Sequence, residues 1–429
     1  MFRWLILFLT VVVLSLSYYY FSHKTPIPEK DLSGIVQEKP QRTIAIKQKI
    51  CLNMIVKNES KVIKRCLDSI MPLIDYWVIV DTGSDDGTQK IIKTHLKDIP
   101  GELHERPWKN FAHNRNEALK LAQSHAQDEN DYILFMDADD ILQIDQDLRS
   151  LVLTKDLYNI WRGTRDFTYI KPQLVRANLP WKWVGVTHEY LGCDHFYQEE
   201  TLEKIKYITI GDGASSHDTK KFYKNIELLE AGLKEEPGNH RYVFYLAESY
   251  RDAGERGKAL EWYQKAVDMK GWDEEVFWSK LQIALHLRYL GLPTSVVIKA
   301  TKDAHSFRPH RVEPVYYLAE MYNELGQHEK AYEVIKARQQ IPKPARKDAL
   351  FNVDWMEEYG LLFQFSICAF YTGHYQESLE ACDKLLSIKS LPPGIRERTE
   401  ANRTFPLEKL KEKLSSREEN KPAKRFLFF

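Results

Sequence analysis

The sequence predicts two folded regions of different class behind an N-terminal membrane span: an α/β domain with a mostly parallel sheet, then an all-α solenoid of helical repeats. Three observations carry that expectation. Short apolar runs alternate with amphipathic stretches between residues 50 and 136, glycines recur at a near-constant step beyond residue 222, and residues 4–21 hold no charge.

Residues 4–21 (WLILFLTVVVLSLSYYYF) are long enough to cross a bilayer, and their tyrosines suit the headgroup interface. Bulky residues stand where a small-x-small cleavage site would lie, so residues 1–22 read as an uncleaved single-pass anchor. The flanking lysines and arginines lean only slightly toward a cytoplasmic body, leaving the side of the membrane open. In a eukaryotic cell such an anchor implies the Golgi or endoplasmic reticulum. The polar, Pro-bearing residues 23–48 read as a stalk.

Residues 49–218 follow as the α/β domain. ICLNMIV (50–56), YWVIV (76–80) and YILFM (132–136) are short apolar runs expected as buried strands. Between them, KNESKVIKRCLDSIMPLI, QKIIKTHL and NRNEALKLAQSHA carry helical spacing. Strands alternating with helices imply parallel pairing, and ligands of such sheets gather at the carboxyl ends of the strands. DTGSDDGT (81–88) and DADD (137–140) both fall at that edge.

Residues 219–390 change to helix alone. YLAESYRDAGERGKALEWYQKAV (245–267) and YLAEMYNELGQHEKAYEVIKARQ (317–339) share one pattern, with looser copies at 284–304 and 365–386. Gly254, Gly291 and Gly326 lie 37 and 35 residues apart, with Gly373 beyond. Helix, Gly turn, small residue, helix at that period is the pattern of tetratricopeptide repeats. The charged stretch 391–429 is expected as a tail, a frayed helix or disordered.

Composition narrows the function classes. Lys plus Arg equals Asp plus Glu at 61 each, which argues against bulk nucleic-acid binding. The five dispersed cysteines give no disulfide framework and no zinc pattern.

The acids at the strand ends carry the chemistry. In an extended segment Asp137 and Asp139 point the same way, and two carboxylates on one face suit Mg²⁺ or Mn²⁺ bridging to substrate phosphates. Ionised carboxylates after a buried strand need positive charge nearby, and the metal would supply it. Asp81 ends the second strand, where an acid can accept hydrogen bonds from a ribose or base. Asn58 and Glu59 end the first. Read as structure only, DADD is a polar turn or helix cap, with Asp140 as the capping residue.

CLNMIVKNESKVIKRCLDSI, VIVDTGSDDGTQKII and FMDADD, in that order, resemble the nucleotide-sugar half of GT-A glycosyltransferases, specifically the inverting family 2. WKWVGVTHEYL and GDGASSHDTKKFYKNIELLE, running into the repeats, resemble the subgroup with C-terminal tetratricopeptide arrays. The resemblance covers residues 50–390. It implies that Asn58, Glu59 and Asp81 hold the donor nucleoside, and that Arg115 or Asn116 contacts its ribose or phosphates. It further implies that Asp137, Asp139 and His188 bind the metal, with Glu189 as general base and Asp212 or Asp140 as competitors. Trp181 and Trp183 would stack on an acceptor sugar or pack in the core. The expected reaction moves a sugar from a nucleotide diphosphate, a UDP-sugar by preference, to a hydroxyl of a glycan or protein acceptor held by the repeats. The rivals are a non-catalytic anchored scaffold and a sugar nucleotidyltransferase. The latter calls for a Gly-rich basic loop that residues 50–60 lack.

Overall fold

The computed structural model describes residues 48–126, 128–145, 152–163, 168–342 and 350–419. The expected anchor and nearly all of the stalk lie outside them. No helix among the described residues is long and apolar enough to cross a membrane.

Strand β1 (Ile50–Val56) is central, with β2 (Tyr76–Asp81) and β4 (Tyr132–Phe135) parallel on either side and β3 (Gly101–Glu105) parallel outside β2. Alternate residues of β1 face opposite ways. Leu52 and Met54 pack against α1 (Ile63–Ile70) and α2 (Thr88–His95) through Ile63, Leu67 and Ile92. The other face of the sheet, through Val78, Ile133 and Phe135, meets α3 (Phe111–His125) and the hairpin β8 (Trp181–Val184)–β9 (Tyr190–Cys193). Trp181 and Trp183 are buried in that second layer, where they serve as packing.

Beyond β4 the sheet becomes mixed. β7 (Thr168–Arg176) runs antiparallel to β4, β6 (Leu157–Gly163) antiparallel to β7, β10 (Glu199–Ile208) parallel to β6, and β5 (Ile141–Ile144) antiparallel to β10 at the edge. A parallel neighbour needs a crossover of a dozen or more residues. After β4 the chain turns at the aspartates and enters β5 directly, with no helix to carry a crossover.

Helices α4 (Lys221–Glu235), α5 (His240–Asp252), α6 (Arg256–Met269), α7 (Asp273–Tyr289), α8 (Thr294–Phe307), α9 (Val312–Glu324), α10 (His328–Gln339), α11 (Leu361–Tyr371) and α12 (Tyr375–Ser387) form the array. Gly254, Gly291, Gly326 and Gly373 all sit at positive φ, between +68° and +82°, in the tight turns that end α5, α7, α9 and α11. That left-handed cap is where Gly avoids the clash of a Cβ. The stretch expected to be a tail is largely helix: α13 (Pro393–Glu419) packs on the array, with Phe405 against Phe370 and Arg403 2.5 Å from Asp383.

Candidate active site

The loops after β1 and β2 are laced together. Asp81 Oδ1 accepts hydrogen bonds from the backbone N–H of Gly83 (2.9 Å) and Ser84 (2.8 Å) and from Gln89 Nε2 (3.2 Å). Its Oδ2 is buried without a hydrogen-bond partner among the described residues. A native buried carboxylate oxygen left unmatched invites a ligand donor. Asn58, at φ +58°, is spent on the loop: its N–H donates to Ser84 Oγ (2.8 Å) and its side-chain oxygen accepts from Asp85 N–H (2.9 Å). Asp86 accepts from the N–H groups of Ser60 (2.9 Å) and Thr88 (3.0 Å), giving one acid of this loop a structural task.

The positive charge that meets the acids after β4 is guanidinium. Asp137 Oδ1 accepts from Arg115 on α3 and Oδ2 from Arg162 on β6, each at 2.7 Å. Arg162 reaches on to Asp140 (2.7 Å) and lies over the Tyr207 ring at 4.4 Å. Arg115 Nε stands 2.7 Å from Glu189 Oε1, in a pair whose side chains are 10% and 6% exposed. Burial alone would raise the Asp137 carboxyl, but the charges of Arg115, Arg162 and Lys171 hold it well below its usual range. At Asp140 burial wins over Arg162 and pushes the carboxyl up to about 7.

Asp139 differs from its neighbours. Its carboxylate makes no hydrogen bond or ion pair among the described residues, although its backbone oxygen accepts from Arg65 (2.8 Å). The loop at 210–214 lies beside it: Arg65 pairs with Asp212 at 2.6 Å, and a Cβ on Gly213 would come within 2.7 Å of Asp139 Cβ and Oδ2. Glu59 Oε2 accepts from Ala214 N–H (3.2 Å). Burial, with the charges of Asp139, Asp86 and Asp137, pushes the Glu59 carboxyl up to about 7 against that hydrogen bond.

The remaining expected residues lie elsewhere. His188, at φ +50°, stacks on Tyr245 of α5 with ring centroids 4.2 Å apart, and its carbonyl accepts from Arg241 at 3.0 Å. Burial lowers its imidazole to about 4. Asn116 is occupied with backbone: it donates to Trp183 O (2.8 Å) and accepts from Trp183 N–H (2.9 Å), pinning the β8–β9 hairpin to α3. Among the described residues no group of three or more His, Cys, Asp or Glu side chains forms a metal-type cluster, so Asp137, Asp139 and His188 are not assembled as one. Arg65, Arg162, Lys171 and Tyr207 were invisible to motif reasoning. For Arg162 and Lys171 the signal was an arginine or lysine inside a strand, in LYNIWRG and TYIKPQLVR.

A parallel half-sheet with acid-tipped strands, followed by stacked helical hairpins, is a GT-A-like architecture joined to a tetratricopeptide-like array. Residues 51–159 match the family described as Glycosyl transferase family 2. The chain is 26% identical over 232 residues to the SPbeta prophage-derived glycosyltransferase SunS of Bacillus subtilis (strain 168), covering 51% of this chain and 53% of that protein. The chain thus spans about half the length of that relative. It is 33% identical over 274 residues to a TPR repeat-containing protein of Synechococcus elongatus, covering 51% of this chain and 66% of that protein. Among solved structures it is similar to YrrB, a TPR protein, at 11% identity and a TM-score of 0.32, over 42% of this chain and 84% of that one.

Proposed function

We propose that the protein is an inverting glycosyltransferase that moves a sugar from a nucleotide diphosphate donor, a UDP-sugar by preference, to a hydroxyl of a glycan or protein. The observation that carries the reading is Asp139: in a family 2 domain it is the acid after β4 left without a protein partner, while Asp137 and Asp140 are engaged by guanidinium. The buried free oxygen of Asp81 supports a nucleoside site at the neighbouring strand end.

The residues present fit a divalent cation held differently from the expected set. Mg²⁺ commonly takes one or two protein carboxylates and completes its shell with water and substrate phosphates. Asp139 is an oxygen donor free to act so, whereas both oxygens of Asp137 are taken and the His188 ring is stacked. When bound, the ion supplies charge neutralisation at the diphosphate.

The protein's own groups then position and move the proton. Glu189, paired with Arg115, takes the proton of the acceptor hydroxyl. The acceptor oxygen attacks the anomeric carbon, and the bond from that carbon to the diphosphate oxygen breaks. Asp212 is the competing base, because its side chain is 42% exposed against 6% for Glu189. The helical array holds the acceptor, and residues 1–22 anchor the chain to a membrane in this reading.

Thermal denaturation of the full chain with UDP, GDP and their sugars, with and without Mn²⁺, tests the proposal. A specific donor with Mn²⁺ should raise the midpoint by mass action and be consumed. If no nucleotide sugar shifts the midpoint or is turned over, the reading is wrong.

A further inference from the structure

The groups expected at the donor ribose or phosphates, Arg115 and Asn116, are occupied, as are two further arginines. Arg115 is held by Asp137 and Glu189, Asn116 by the Trp183 backbone, Arg162 by Asp137 and Asp140, and Arg65 by Asp212. Lys171 differs. It lies on β7, three residues before Leu174, which pairs with Leu134 of the antiparallel β4. Its ammonium is 5.7 Å from the Trp183 ring centroid, within electrostatic reach of Asp137 and Glu189. It makes no hydrogen bond or ion pair among the described residues. An ammonium carries three donors, and in a partly buried crevice they call for acceptors.

We propose that Lys171 contacts the donor's diphosphate, supplying the charge-assisted hydrogen bond that Arg115 and Asn116 cannot. The inference rests on the glycosyltransferase reading, since that reading places a diphosphate beside Asp139. Lys171 is then a catalytic residue that touches the leaving group: as the bond from the anomeric carbon to oxygen breaks, its ammonium stabilises the negative charge gathering on the departing diphosphate. Burial, with the charge of Arg162, holds the ammonium down to about 8 against the pull of Asp137 and Glu189.

The test uses the full chain as Lys171→Met and Lys171→Arg. Calorimetric titration with Mg²⁺ present takes whichever pair, UDP and uridine or GDP and guanosine, the unmodified protein binds most tightly. Lys171→Met should weaken the diphosphate about 10- to 100-fold, the scale of one hydrogen bond to a charged group, and leave the nucleoside unchanged. Lys171→Arg, keeping the charge, should recover most of the loss. Equal diphosphate affinity in Lys171→Met, or equal loss for diphosphate and nucleoside, overturns the inference while leaving the enzyme reading intact. Intact diphosphate affinity with a raised acceptor KM would assign the lysine to an acidic acceptor and overturn it too. If the unmodified protein binds no nucleotide, the enzyme reading fails and takes this inference with it.

Discussion

Replacing Arg241 by Met tests how the helical array supports the His188–Glu189 loop. Arg241 donates to Glu275 at 2.8 Å and to the His188 carbonyl at 3.0 Å, and it lies over the Tyr245 ring at 4.7 Å. The Glu275 side chain is only 4% exposed. Methionine keeps the apolar stem, so the loss is mainly electrostatic. Hydrogen bonds to a charged group contribute about 1.5–3 kcal/mol, and an uncompensated buried acid raises the penalty, so a loss of about 3 kcal/mol is expected. The assay is urea unfolding of the full chain at pH 7.5 and pH 5. Burial already raises the Glu275 carboxyl against the pull of Arg241 and His240. Without Arg241 that carboxyl rises further, and a folded-state value above the unfolded one favours folding as pH falls through it. The deficit should therefore shrink at pH 5. A loss below about 0.5 kcal/mol, the ordinary surface scatter, or an equal loss at both pH values would refute the reasoning.

Asp139→Ala should leave the unfolding midpoint within about 0.5 kcal/mol of the parent, since its carboxylate has no protein partner, yet abolish the Mn²⁺-dependent donor shift; calorimetric titration reads the second effect. Gly213→Ala should also weaken that shift, because the new Cβ would meet Asp139 at 2.7 Å, and it is checked by the same titration. Glu59→Gln keeps an oxygen for the Ala214 N–H. The Glu59 carboxyl is held near 7 in the fold against an ordinary 4.5, so the parent gains stability as pH falls between those values. The variant should melt higher than the parent at pH 7.5 and lose that advantage by pH 5; a constant gap would count against the burial account.

What the sequence revealed depended on periodicity. β1, β2 and β4 are buried on both faces, so they read as largely apolar runs, and the repeat glycines mark turns that demand positive φ. β3 was missed because GELHE at the sheet edge is half polar. The partners of the aspartates were missed for another reason. Arg115 and Arg162 lie 22 and 25 residues from Asp137 and reach it from a different helix and strand, so no local pattern encodes the pairing. Acids at the strand ends were therefore legible, but which of them the protein itself neutralises was not. The charged composition of α13 likewise left hidden the aromatic and ionic contacts that tie this helix to α11 and α12.

Residues 350–354 pass between the two halves of the molecule. Glu274 accepts from Leu350 N–H, Arg311 donates to Leu350 O (3.2 Å) and Phe351 O (2.9 Å), and Glu313 accepts from Val353 N–H (3.3 Å). Asn352 exchanges backbone hydrogen bonds with Thr168 at the start of β7, and Asp354 receives the Thr168 hydroxyl (2.9 Å). Open solenoids gain and lose modules freely because each touches only its neighbours. Here an extra hairpin between α7 and α9 would push the strap's anchors apart by about a helix diameter, roughly 10 Å, far more than a backbone bridge can span. The number of modules in this stretch is thus fixed by the strap that ties α7 and α9 to the start of β7.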